Sequence, residues 1–470
     1  MRLIGLVLTF VLAAFGERGA AQATNPGAGL RVGAARVDIT PPADPAAPPS
    51  GYAHQRLYVR AIVIDDGTTR AALIGADQGN MPEAVWSAAG SQIASELGAP
   101  VQNILMSATH THSSSMTPPR PGGAAAAPAA PARPGEPAHP LVAPMLQAVR
   151  QAKAAMQPAR FGFGTGFSWL NVNRDAVDPV TRKWTQAPNL QGSSDKTVAV
   201  LKFESLSGRP IAVHINYAMH PVNGYLSGFV SADFPGAATR YIEQAYGDEM
   251  VAVFSQGASG DQNPLYLRPA TNVMASRTGV AVTGNVLNRE TVEAPLRNGA
   301  VPERAVDPKV RDVLLRWIES EGQMLGEEVI RVMTEATHVD GRARVRGAQE
   351  TITCPGRTRT DSGEREGSPG AYADGEAVSL RLGVLAIGST ALASVNAELY
   401  SPIGRQLKER SPLANTVMVT LANGRAASGY VPDDASFGKY TFQVLGSRLK
   451  PGCAEKAIVE GLTGMIDRLR

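Results

Sequence analysis

The sequence predicts an α/β protein: layered, mixed β-sheets flanked by helices in a single large domain. Three observations carry that reading. Short apolar runs rich in Val and Ile interleave with longer amphipathic stretches over most of the 470 residues, as expected of helices laid on sheets. Turn-forming residues join neighbouring runs, as Asp-Asp-Gly does within RLYVRAIVIDDGTTRAALIGAD. No internal repeat marks a solenoid or a propeller. At 43% hydrophobic residues the chain can build a sizeable core, and its 19% charged residues fall below the usual share of roughly 25%. The 45 Lys and Arg nearly balance the 42 Asp and Glu, for a net charge of +3. With no basic tract, neither nucleic acid nor a strong pull to anionic lipid is indicated.

The elements follow in order. Arg2, the apolar run LIGLVLTFVLAAF and AAQA read as a secretory signal over 1–23, with cleavage after Ala23. The run is shorter than the ~20 residues a spanning helix needs, so the expected setting is periplasmic or secreted. Residues 24–470 are expected to form the domain, opening on a short linker at 24–30. After the RLYVR hairpin, AVWSAAGSQIASEL has helical spacing, and VQNILMSATH is a buried strand. A Pro/Ala/Gly-rich insertion at about 117–140 cannot form a packed core. APMLQAVRQAKAAMQ is an amphipathic helix; KTVAVLKFES and PIAVHINYAMH flank a Ser-Gly turn as paired strands. SADFPGAATRYIEQAYG starts a helix, and MVAVFSQGASGDQNP is a strand entering a Gly-rich loop. KVRDVLLRWIESEGQMLGEEVIRVM reads as one long helix with a kink at a glycine. CPGRTRTDSGEREGSPGAYADGE reads as a loop, and AVSLRLGVLAIGSTALASVNAE as two strands before a helix from Ser401. TVMVTLANGRAASGYVP is a strand and loop, and the chain closes on a helix after Pro-Gly. The two cysteines, Cys354 and Cys453, could bridge in an oxidising compartment, a pairing the sequence leaves open.

Chemistry concentrates around few residues. Of 7 histidines, His110 and His112 stand one residue apart in Thr-His-Thr-His-Ser. At a strand end, residues i and i+2 share a face, so the two imidazoles are expected to serve one site, as a metal ligand with a hydrogen-bonding neighbour or as ordinary polar residues. His220 ends another strand just before Pro221, whereas His214 within that strand reads as a core histidine. His54, His139 and His338 read as surface or loop residues. FSQGASGDQNP is neither a G-x-S-x-G elbow nor a Walker loop. Its backbone N–H groups suit an oxyanion, or its glycines only a tight loop.

The motifs VGAARVDITPP, LIGADQGNM, ILMSATHTHSSS, NVNRDA, AMHPVNG with VSADFPG, VFSQGASGDQNP, ASVNAELYSP and SGYVPDD occur in the order and rough spacing of one family. Over roughly residues 31–470, with gaps, the sequence resembles the catalytic part of the neutral/alkaline (non-lysosomal) ceramidases, zinc amidases that cleave the N-acyl bond of ceramide. The resemblance implies one Zn²⁺ held by His110, His220, Glu398 and Tyr430. It implies that His112, Arg174 and Tyr440 hydrogen-bond the substrate carbonyl or the tetrahedral oxyanion, while a zinc-activated water attacks. The implied partner is a small-molecule or lipid N-acyl substrate, with room for a peripheral membrane contact; the oligomeric state stays open. Bland roles remain for three of these residues: Glu398 capping the helix after it, Tyr430 as a packed aromatic, Arg174 pairing with Asp175.

The match departs from the family in three places. The GDxSPN loop, whose serine is sometimes assigned as nucleophile, becomes GDQNPL with Asn263 at that place, which favours water as the nucleophile. HSGPGG becomes HSSSMTPPRPGG followed by the insertion. Ceramidases are also longer, with a C-terminal β-sandwich outside the resemblance. Two further readings therefore stand beside a ceramidase-like amidase: a zinc hydrolase of esters, lactones or small amides, and an extracytoplasmic binding protein with a structural metal.

Overall fold

A computed structural model describes residues 29–42, 55–114, 139–280, 290–300, 304–336 and 338–470. The expected signal segment, His54 and nearly all of the Pro/Ala-rich insertion lie outside the described residues.

The first third of the chain builds half of a large sheet. It runs β1 (Arg31–Asp38), β2 (Tyr58–Asp65), β3 (Arg70–Ala76), α1 (Glu83–Leu97), β4 (Ile104–Ala108) and α2 (Val142–Ala154). β1, β2 and β3 pair antiparallel, and β4 joins β3 in parallel because α1 crosses over between them. Then come β5 (Gln157–Phe167), β6 (Asn171–Val177), β7 (Trp184–Asn189), β8 (Thr197–Ser205), β9 (Pro210–Tyr217), α3 (Asp233–Ala245) and β10 (Val251–Gln256). The sheet order is β10-β9-β8-β5-β1-β2-β3-β4. Its two halves are joined only by a two-residue pairing, Arg31 with Pro158 and Val32 with Gln157.

That narrow seam is a corner, and the halves fold face to face across it. Alternation along the strands sets what each face buries. Ile62, Ile64, Leu73 and Leu105 of one half share a core with Leu201, Phe203 and Val253 of the other. The outer faces carry helices: Val59, Ala61 and Val63 pack under α1 and α2, and Val200, Val213 and Phe254 pack under α3 and the long helix described next. Gly75 marks how close the halves come, since a Cβ there would sit 2.9 Å from the Phe254 carbonyl oxygen.

The chain continues through β11 (Gln262–Pro264), α4 (Arg268–Thr278), α5 (Glu290–Arg297), α6 (Pro308–Glu335) and β12 (Val339–Asp340). α6 is helical over 28 residues without interruption. Its glycines serve packing: a Cβ on Gly322 would lie 2.2 Å from the Ala237 Cβ of α3. The last segments are β13 (Val345–Arg359), β14 (Tyr372–Ile387), β15 (Thr390–Val395), β16 (Glu398–Leu399), α7 (Ser401–Arg410), β17 (Asn415–Val419), β18 (Tyr430–Val431), α8 (Phe442–Gly446) and α9 (Ala454–Leu469). β13-β14-β15-β17 form a second sheet. Leu385, Ile387, Leu392 and Val417 face the common core, while Leu380, Leu382, Val384 and Met418 face α7 and α9.

The stretch from Cys354 to Glu376, expected to be a loop, remains one over 360–371, whereas Cys354–Arg359 and Tyr372–Glu376 form the outer part of the β13–β14 strand pair, with a register shift between Cys354 and Gly356. Pro355 and the polar residues on both faces erase the alternation that marks a half-buried strand. Cys354 is disulfide-bonded to Cys453, with Cα atoms 5.8 Å apart, tying β13 to the start of α9. After β17 the chain lies along β4: Asn423 Oδ1 accepts from Met106 N–H (2.8 Å), Asn423 N–H donates to the Met106 carbonyl (2.7 Å), and Ala108 N–H donates to the Leu421 carbonyl (3.3 Å).

Candidate metal centre

The site sits beyond the carboxyl ends of parallel strands, where crevices of α/β sheets form. β4 leads to His110, β9 to His220, β10 to the Ser259–Asp261 loop, and β16 pairs Glu398 with Tyr430 of β18. Backbone hydrogen bonds lace these ends together. His112 N–H donates to the Pro221 carbonyl (3.2 Å), His220 N–H to Gln262 (3.2 Å), Gly260 N–H to Leu399 (2.7 Å) and Arg174 N–H to Asp261 (2.9 Å). β4 ends at Ala108, and His110 has φ 71. The histidine pair thus meets through a left-handed turn, not through the strand alternation expected from the sequence.

The tautomers define the chemistry. His110 Nδ1 donates to the Gly79 carbonyl, and His220 Nδ1 donates to those of Ser259 (2.8 Å) and Gln262 (3.0 Å). A carbonyl can only accept, so each ring carries a proton on Nδ1 and, as the neutral imidazole, turns an Nε2 lone pair inward. Those two atoms lie 3.2 and 3.1 Å from Glu398 Oε2, itself an acceptor. Three lone pairs converging in a buried place repel one another unless a cation lies among them. Tyr430 adds its hydroxyl, hydrogen-bonded to Glu398 and 3.3 Å from Arg174 Nη2. Burial, then Arg174, pushes His220 down to about 3, so its imidazole is neutral. Burial raises the Tyr430 phenol above its ordinary value. Two imidazoles and a carboxylate with a phenol oxygen are a fitting donor set for a borderline divalent ion such as zinc.

His112 differs from its neighbours. Its Nε2 is 3.3 Å from His110 Nε2, and the ring nitrogens of His110, His112 and His220 all lie within 4.8 Å of one another. Among the described residues, however, no carbonyl holds its Nδ1. Burial, then His110 and His220, lowers its pKa well below the usual value, although part of the ring reaches solvent. Its edge meets the Tyr225 ring, with centroids 5.5 Å apart.

Arg174 is 2% exposed and caged. Its Nε and Nη2 donate to the Gly260 carbonyl (3.1 and 2.6 Å), and Nη1 donates to Asn263 Oδ1 (3.1 Å). Nη2 also lies 3.5 Å from His220 Nε2. Among the described residues it forms no ion pair with Asp175. Glu398 faces the histidines, and the helix it precedes has Tyr400 as its N-cap. Tyr440 is not joined to this cluster by any hydrogen bond or ring contact among the described residues; its backbone is left-handed (φ 44), and its carbonyl accepts from Gly367 N–H. Ser259 is 2% exposed, and its hydroxyl accepts from Gln256 Nε2 (2.6 Å). His214 is buried in β9 as a core residue, and His139 and His338 are exposed. Sequence reasoning missed Tyr225, Asn263's hold on Arg174, and Phe442, whose ring centroid is 5.2 Å from Arg174 Cζ.

Residues 31–281 match the family described as neutral/alkaline non-lysosomal ceramidase, N-terminal. The chain belongs to that family. Neutral ceramidase B of Dictyostelium discoideum is 26% identical over 175 residues, a match spanning 34% of this chain and 24% of that relative's length. The neutral ceramidase of Pseudomonas aeruginosa superposes with a TM-score of 0.64 at 16% identity, over 94% of this chain and 75% of that one. A ceramidase complexed with C2 gives 0.65 at 16% identity, over 94% and 76%. At that identity the two structures establish the α/β fold that the sequence predicts. Within this ceramidase-family fold, the buried histidine group is a place where a metal can bind.

Proposed function

We propose that this chain is a zinc-dependent hydrolase that cleaves the amide bond of an N-acyl substrate. The observation that carries this reading is the convergence of His110 Nε2, His220 Nε2 and Glu398 Oε2 at 3.1–3.2 Å, with Nδ1 of both rings held by backbone carbonyls. These three residues and the Tyr430 oxygen would hold the ion. When bound, it supplies Lewis acidity to the scissile carbonyl and makes a water acidic near neutral pH. The chain's own groups do the rest. Glu398 would offset part of the ion's charge, and the two imidazoles would donate lone pairs to it. Arg174, fixed through Gly260 and Asn263, directs a permanent positive charge at the place where the carbonyl oxygen gains negative charge. Neutral His112, whose tautomer no carbonyl fixes, is placed to donate an Nε2 proton to that oxygen. Ser259 is not poised to attack, since its hydroxyl is engaged by Gln256, and residue 263 is an amide. Tyr440 would join the oxyanion donors only through a movement of its turn.

The same reading places the protein outside the cytoplasm. The Cys354–Cys453 bridge suits an oxidising compartment, in keeping with the secretory pattern of the first 23 residues. Purified protein should contain about one zinc per chain and hydrolyse N-acyl amines faster than matched esters or lactones. Chelation should abolish turnover and zinc should restore it. Full activity in metal-free protein would overturn the assignment.

A further inference from the structure

Half-buried side chains flank the metal centre on its His112 and Tyr430 sides. His112 meets Tyr225 edge-on. Arg297 Nη2 pairs with Glu290 at 2.5 Å, and Glu290 is 3.6 Å from Arg365. The Arg365 guanidinium lies over the Phe442 ring, 3.8 Å from its centroid. Phe442 in turn packs against Tyr430, at 5.7 Å between centroids, and against Arg174. Two histidines of the centre are more deeply buried: His110 is 4% exposed and His220 0%.

Arg365 stands out in this rim. With its Cζ 3.8 Å from the Phe442 centroid, its guanidinium is held against the ring face. Among the described residues it makes no hydrogen bond, and its one ion-pair contact is the 3.6 Å approach to Glu290, which Arg297 holds more closely. A planar guanidinium with its N–H edge unspent matches a carboxylate in bidentate geometry. An uncharged lipid passing over Arg365 would strip water from its guanidinium without supplying a partner.

We propose that Arg365 is an anion subsite at the mouth of the centre, selecting N-acyl compounds that bear a carboxylate a few bonds from the scissile carbonyl. This rests on the amidase reading above and names its substrate class. The test uses zinc-loaded full-length protein and three amides: N-dodecanoyl-4-aminobutyrate, with its carboxylate on the amine side; N-glutaryl-dodecylamine, with its carboxylate on the acyl side; and neutral N-dodecanoyl-butylamine. Wild type should favour at least one carboxylate compound over the neutral amide by about tenfold or more in kcat/KM. Arg365→Ala should reduce that ratio by roughly 10–100-fold, mainly through KM, the scale of a hydrogen bond to a charged group, with zinc content unchanged. Arg365→Glu should shift preference towards cationic N-dodecanoyl-1,4-diaminobutane, a gain that misfolding cannot produce. A wild-type preference for the neutral amide, or the same ratio in both variants, would overturn the subsite. If wild type hydrolyses none of the amides, the amidase reading fails separately, and calorimetric titration with the same compounds decides the subsite. Tighter binding of a carboxylate compound, lost in Arg365→Ala, upholds it; equal binding of all three sinks it.

Discussion

A histidine at φ 71 occupies backbone space that suits glycine, and His110 is held there by its N–H bond to the Gln78 carbonyl at 2.9 Å. The turn brings the rings of His110 and His112 together, yet among the described residues it is His110 and His220, not His112, whose Nδ1 is tied to a carbonyl. Anchoring of this kind fixes the tautomer of a ligating imidazole, so the roles of the pair divide by their outer partners. His110→Ala should lose zinc and activity together. His112→Ala should retain zinc at saturating metal while turnover falls by about 10²–10³, the scale of one oxyanion donor. Zinc titration and saturating-substrate kinetics on the two variants check this; zinc binding that survives in His110→Ala and fails in His112→Ala would reverse the roles. The Thr-His-Thr-His-Ser run and the strand-end position of His220 were legible because they lie in short contiguous motifs. The Arg174–Asn263 bond, the Tyr225 edge contact and the Arg365 stack were not. Each joins residues far apart in the chain, and none leaves a local pattern.

Helices α3 and α6 show how packing overrides local preference. Alanine is favoured over glycine in a helix interior by about 1 kcal/mol, so Gly322 costs α6 some intrinsic stability. The contact with Ala237 explains its presence, because an added methyl would overlap at 2.2 Å. Overpacking typically costs ~1–3 kcal/mol, which exceeds the propensity gain. Gly322→Ala should therefore destabilise the protein in urea unfolding, and a rise in the midpoint would contradict the packing described. The sequence suggested a kink here because a glycine inside a helix looks the same whether it bends the axis or admits a neighbour. Most buried strands and long helices were legible through periodicity. The outer β13–β14 hairpin was not, being polar on both faces, and β5, β6, β7, α4 and α5 escaped assignment.

Across the whole molecule, the Cys354–Cys453 bridge closes a loop with a sequence separation of 99. Chain-entropy arguments assign about 4.7 kcal/mol to a loop of that size, and measured losses for native bridges run about 2–5 kcal/mol. The double variant Cys354→Ala/Cys453→Ala should lose stability in that range by denaturant unfolding, and an unchanged midpoint would show that the bridge constrains little. The segment after β17 acts at the same scale in another way. β4 ends its sheet, and a terminal strand ordinarily offers a row of free peptide groups on which a second molecule can add a strand. Here Ile104, Met106 and Ala108 spend those groups on Asn423 and Leu421. The turn that leads to Tyr430 therefore also covers this edge of the sheet against addition of another chain, so the stretch that carries Tyr430 to the candidate metal centre blunts a site of aggregation as well.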